Sequence, residues 1–226
     1  MTGTVTDRGR ELARRVEAFV RSTVVRFEND PRWVPHGPPE DMVREMRALA
    51  KAEGLLTPHV LPDGNHLSHQ DCALILRASG LSPLGPTAVN VAAPDEGNMF
   101  LLHKAASPDQ KKRFLEPLVS GRTRSAFFMT EPAADNGAGS DPSMIKTTAV
   151  QDGNHWVING RKAFITGLDG AGVGIVMAKT SAKDAPAAAT MFLVDLPIQG
   201  IRIERVLDTI DCASPGGHSV VVLENL

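Results

Sequence analysis

The residues best equipped for chemistry lie between Ala126 and Lys179, in the runs A-F-F-M-T-E-P, G-A-G-S-D and V-I-N-G-R-K-A-F-I-T-G. The first reads as an apolar strand ending at Thr130 and the last as a strand ending at Thr166. Gly137, Gly139 and Ser140 lie in the loop between them. A threonine hydroxyl donates one hydrogen bond and accepts others, and glycine lets backbone approach a ligand closely. Two such strand ends joined by such a loop can build one polar wall beside an apolar slot. That arrangement suits a flat, partly polar cofactor.

Two kinds of element must position these runs. Up to about residue 123 the pattern is helical. Over Asp7 to Glu28, Leu12, Val16, Phe19, Thr23 and Phe27 recur on one face, with arginines opposite. A second helix is expected from about Pro39 to Glu53, with Met42, Met46, Leu49 and Ala50 inward and Gly54 closing it. A third follows Ser68 as N-cap and stops near Gly80. Ser107-Pro108-Asp109-Gln110 is a capping box with proline at the first helical position, followed by Phe114, Leu115 and Leu118 and stopped by Gly121.

Beyond Arg122–Arg124 the pattern turns to strands. Thr147–Val150 and His155–Ile158 flank Asp152-Gly153, and Asn159-Gly160 reads as a second turn leading into Arg161–Thr166. Val173–Ala178, Thr190–Val194, Ile201–Val206 and Ser219–Leu223 are further β-rich runs. The expected fold is α+β: an all-helical domain over residues 1–123, then an antiparallel β-barrel or sandwich over residues 124–226.

Composition narrows the function classes. The chain is 42% hydrophobic and 22% charged, as in ordinary globular proteins. A net charge of −2 gives no electrostatic reason to expect nucleic acid, and Lys111-Lys112-Arg113 reads as a solvated helix face. Cys72 and Cys212 are far apart and form no C-x-x-C motif, which fits a reducing cytoplasm. The N-terminus lacks the apolar run of a secretory signal, Asp7, Glu11 and Glu17 argue against a presequence, and no segment has the apolar length of a membrane span.

The ordered combination of T-E-P, G-A-G-S-D and F-I-T resembles the acyl-CoA dehydrogenase family of flavoproteins, whose middle β-domain carries a T-E-P-x-A-G-S-D loop and a W-I-T strand. H-K-A-A-S-P-D-Q-K-K-R-F-L-E-P-L-V-S-G, the I-N-G-R-K run and the final V-V-L-E-N-L extend the likeness. It implies FAD as cofactor, bound by Phe128, Met129, Thr130, Gly139, Ser140, Phe164, Ile165 and Thr166. The Thr130 region would meet the pyrimidine side and Thr166 the N5 side, with Ser140 also facing the acyl-CoA substrate. Phe164 replaces the family's usual tryptophan, which keeps a ring but loses the indole donor. Ala133-Ala134-Asp135-Asn136 makes the loop longer than the family usually has.

The resemblance further implies α,β-dehydrogenation of an acyl-CoA. A carboxylate removes the Cα proton while hydride leaves Cβ for flavin N5. That base is expected in a C-terminal helical domain, so no catalytic residue is assigned among these residues, and Glu131 is placed in the flavin wall. An electron-transfer flavoprotein or similar acceptor, and a homo- or hetero-oligomer, are the implied partners. A non-catalytic module that pairs with a chain carrying the helical domain is a second reading. A related flavin monooxygenase is a third, disfavoured by T-E-P with G-S-D.

Other motifs carry less. Gly167 to Gly174 imitates a dinucleotide fingerprint, but a strand follows it where a helix is required. G-A-G-S-D matches half of a calcium β-roll repeat but stands alone. Ser140 lacks the G-x-S-x-G elbow of a hydrolase nucleophile. His66 and His69, with Asp63 or His59 nearby, could hold a metal, but are read as exposed loop and helix-start residues.

Overall fold

In a computed structural model of the chain, residues 4–61, 64–135, 137–182 and 185–226 are described. Asp63 and Asn136 lie outside the described residues. The chain divides into one unit of Met1–Thr123 with Ala213–Pro215, and another of Arg124–Cys212 with Gly216–Leu226.

The first unit is helical. Helix α1 (Asp7–Ser22) starts where the Thr6 hydroxyl accepts from Gly9 N, and gives way to a 3₁₀ turn over Val24–Asn29. The expected helix to Glu28 thus tightens after Ser22, where the β-branched run Thr23-Val24-Val25 crowds the α-helical turn. Helix α2 (Glu40–Ala52) buries Met42, Met46 and Ala50, one turn apart each, while Leu49 lies at the edge of that stripe and is exposed rather than inward. Helix α3 (His69–Ser79) is capped by the Ser68 hydroxyl, which accepts from Asp71 N. Two helices that the sequence did not announce follow: α4 (Gly85–Ala88) and α5 (Asp95–Ala105).

The capping box at Ser107 forms, with Gln110 Oε1 accepting from Ser107 N at 2.9 Å. It opens a continuous helical stretch: α6 (Pro108–Gln110), a π-turn (Lys111–Leu115) and α7 (Glu116–Val119). Val16, Phe19, Val20, Met42, Met46 and Ile75 form the core, each at most 5% exposed. None of the described helices is long and apolar enough to cross a membrane.

The second unit is a seven-stranded sheet: β1 (Ser125–Phe128), β2 (Thr148–Asp152), β3 (His155–Thr166), β4 (Val173–Ala182), β5 (Ala185–Asp195), β6 (Ile201–Leu207) and β7 (His218–Leu223). The sheet is mixed, not wholly antiparallel. β1 and β2 both pair with β4 in parallel, Ser125 opposite Val173 and Thr148 opposite Lys179. Long connections, which parallel pairing requires, separate both strands from β4. The pairs β2–β3, β4–β5, β3–β7 and β6–β7 are antiparallel.

The expected turn at Asn159-Gly160 is absent. β3 runs straight through it, pairing first with β2 and then with β7. Gly160 serves another purpose, since a Cβ there would meet Thr147 Cα at 2.8 Å. The glycine admits a neighbouring backbone rather than a reversal of the chain.

Candidate functional site

Glu131 organises the region that the sequence singled out. It lies just beyond β1 and is 4% exposed. Its backbone N–H donates to Gly139 O at 3.0 Å, which closes the glycine-rich loop. Its carboxylate accepts from Thr147 Oγ1 at 2.6 Å, Lys146 N at 2.8 Å, Thr147 N at 2.9 Å, Lys162 Nζ at 3.1 Å and Ala138 N at 3.3 Å. Burial by itself raises the carboxyl pKa, but the bonds from Thr147, Lys146 and Lys162 together outweigh it and hold the group at about 2. Glu131 is therefore a fixed anion whose oxygens are committed.

Lys162 is wholly buried in β3 and also donates to Met129 O at 3.0 Å. Sequence reasoning missed it as a functional position. The signal was there: alternation along β3 puts Lys162 on the same face as the buried Ile158. A lysine on an inward face requires an anion, and T-E-P supplies one.

The end of β1 is tied to the middle of β3. Ala163 N donates to Thr130 O at 3.0 Å, and the Thr130 hydroxyl donates back to Ala163 O. With its proton committed there, the Thr130 hydroxyl offers further partners only its oxygen lone pairs. The β3–β7 register then shifts between Lys162 and Ile165. Within this bulge Phe164 takes φ of +57° and leaves its ring exposed, the residue as a whole at 62%. A non-glycine residue in the left-handed region costs about 1–2 kcal/mol, and such strain gathers at functional sites.

Thr166, at the end of β3, meets His218 of β7, with Oγ1 at 2.8 Å from Nδ1. His218 Nε2 lies 3.2 Å from Asp211 Oδ2. A carboxylate at Nε2 favours the tautomer protonated there, leaving Nδ1 to accept from Thr166. His218 and Asp211 were not among the expected site residues, because both lie more than forty residues beyond Thr166 in the chain.

The remaining expected residues fall in two groups. Phe128 and Ile165 have fully buried side chains in the core of this unit and can present only backbone. Gly139, at φ of +56°, has open space where a Cβ would stand, with nothing within 4 Å, and Ser140 beside it is exposed. Met129 is half-buried. Phe164 thus presents an exposed ring, Thr166 a strand-end hydroxyl on an imidazole, and Gly139 open backbone.

Comparison with known proteins gives a family. A family model described as acyl-CoA dehydrogenase, middle domain, matches residues 126–223. The chain is 34% identical to acyl-CoA dehydrogenase family member 11 of Gallus gallus over 93% of its own length and 28% of that protein's. A candidate acyl-CoA dehydrogenase from Mycobacterium abscessus superposes with a TM-score of 0.82 at 35% identity, covering 99% of this chain and 59% of that one. A glutaryl-CoA dehydrogenase from Mycobacterium smegmatis, solved in complex with FADH2, shares the fold at 24% identity and a TM-score of 0.74, over 98% of this chain and 54% of that one. The chain thus spans little more than a quarter of the first relative's length.

Proposed function

The chain carries an acyl-CoA dehydrogenase middle domain and belongs to that family, and on that premise we propose that its second unit supplies the flavin and substrate wall for FAD-dependent α,β-dehydrogenation of an acyl-CoA thioester. The observation that carries this reading is the strained, exposed Phe164 ring, two residues before Thr166 on the same strand end. When bound, FAD supplies the two-electron acceptor that takes hydride from the substrate.

The residues of the chain then have distinct tasks. Phe164 would offer a ring face for the isoalloxazine to pack against. Thr166, oriented by His218 and Asp211, would stand at the N5 edge. Thr130 and the Met129 backbone would meet the pyrimidine edge, and Gly139 with Ser140 would let backbone approach the cofactor and the acyl-CoA. Glu131 and Lys162 hold these parts in register. Glu131 is not the base that removes the Cα proton: a carboxylate held at about 2 by committed hydrogen bonds is a poor proton acceptor near neutral pH. That task falls to another carboxylate, and an electron-transfer flavoprotein or similar acceptor reoxidises the cofactor.

Titrating the purified chain with FAD, and following the flavin absorbance and fluorescence, tests the reading. Saturable binding that Phe164→Ala and Thr166→Val weaken while the circular dichroism spectrum stays unchanged is the expected result. Bleaching of the bound flavin by acyl-CoAs of graded length, with the full enzyme, would then name the substrate. Absence of FAD binding, or binding indifferent to both substitutions, would refute the assignment.

A further inference from the structure

We propose that His59, His66 and Glu96, in the helical unit, form a binding site for a divalent transition-metal ion of the zinc class. The imidazole nitrogens and a carboxylate oxygen of these residues all lie within 4.8 Å of one another. All three residues belong to the helical unit, whereas the residues proposed for the flavin belong to the other.

Local structure brings the three together. Val60 and His66 form an antiparallel bridge, and Leu67 N donates to His59 O at 2.9 Å, which sets the two histidines side by side. Their rings meet edge to face at 5.4 Å between centroids. Glu96 comes from the first turn of α5, thirty residues after His66 in sequence. Phe100, one turn further along α5, packs edge to face against the His66 ring at 5.3 Å and steadies it.

A second observation points to a ligand. His59 is 1% exposed, yet neither of its ring nitrogens has a hydrogen-bond partner among the described residues, and His66 Nε2 is buried and without a partner among them as well. Buried polar atoms are normally satisfied, and a metal ion held by one nitrogen from each ring would answer part of this deficit.

The donor set selects the ion. Two imidazoles and one carboxylate suit zinc, with cobalt, nickel and copper as competitors, and exclude a preference for calcium or magnesium. Tetrahedral zinc bonds of about 2.0–2.2 Å set ligand atoms about 3.4 Å apart, so a pair at the 4.8 Å limit would close by about 1.4 Å. Three protein ligands leave a fourth position for water or a small anion. A cavity of about 550 Å³, lined by Leu56, Val60, Leu61, His66 and Leu115 among others, adjoins His66.

The test uses the metal alone on the full 226-residue chain, after chelator treatment and with no flavin added. Titration with Co²⁺ should give the visible absorption of a low-symmetry, nitrogen–oxygen site that saturates at one ion per chain, and Zn²⁺ should displace it. Glu96→Gln and His66→Gln keep size and polarity, and should each weaken Zn²⁺ binding beyond the roughly 10–100-fold that loss of an outer-shell partner costs. His69→Gln, on the neighbouring helix start, should leave the affinity within about threefold. No saturable Co²⁺ signal, or Zn²⁺ affinity lost in His69→Gln but kept in Glu96→Gln and His66→Gln, would overturn the proposal.

Discussion

The Glu131 carboxylate and the Lys162 ammonium meet at 3.1 Å with both side chains buried, 2% and 0% exposed. This pair joins the strand end at T-E-P to the long strand β3, and the bonds that Glu131 accepts from Ala138, Lys146 and Thr147 fix the glycine-rich loop and the start of β2 around it. Breaking a buried pair leaves an uncompensated charge, whereas removing both charges need cost little.

Lys162→Met should therefore destabilise the chain by about 3–5 kcal/mol in denaturant unfolding. Glu131→Gln combined with Lys162→Met should be less destabilised than the sum of the two single changes. Strict additivity would show that the pair is not coupled.

The same carboxylate sets an acid limit. Its folded pKa of about 2 lies below the ordinary 4.5, so between those values the unfolded chain binds more protons than the folded one. The contribution of Glu131 to stability is fully present above pH 4.5 and is lost as the pH falls towards 2. Asp30, also held at about 2, first by its bonds from Arg32, adds to the slope in any variant. Unfolding free energies of wild type and Glu131→Gln should thus converge as the pH falls through this window, and parallel curves would contradict the assignment.

Gly160→Ala should disturb the site without touching any expected ligand residue. Its Cβ would meet Thr147 Cα and Cβ at 2.8 Å, backbone and branch point that cannot swing aside. Overpacking of this kind costs about 1–3 kcal/mol. The melting temperature should fall, and Thr147 should lose its grip on Glu131. An unchanged melting temperature would mean that β3 can move away from Thr147.

Phe164→Gly separates function from stability. The residue is 62% exposed and its backbone φ is +57°, so glycine removes strain while giving up little burial. Unfolding free energy should stay level or rise by about 1 kcal/mol, whereas FAD affinity should fall. A large loss of stability would show that the ring serves the core.

Much of this was legible in the chain itself. Capping at Ser68 and Ser107 depends on neighbours two or three residues away, so the sequence announced those helix starts. The strand-end threonines and the glycine-rich loop could likewise be marked from residue order, because family motifs and turn chemistry are local. Only the tertiary structure decided how distant residues share space. Gly160 looked like a turn, since a glycine that reverses the chain and one that admits a neighbour are identical in sequence; Thr147, thirteen residues earlier, makes the difference. The parallel pairing of β1 and β2 with β4, the left-handed backbone at Phe164, the tie from Thr166 to His218, and the meeting of His59, His66 and Glu96 all follow from contacts across many residues. Hydrophobic periodicity and capping report each residue's immediate surroundings, while burial and partner choice are set by the whole packed chain.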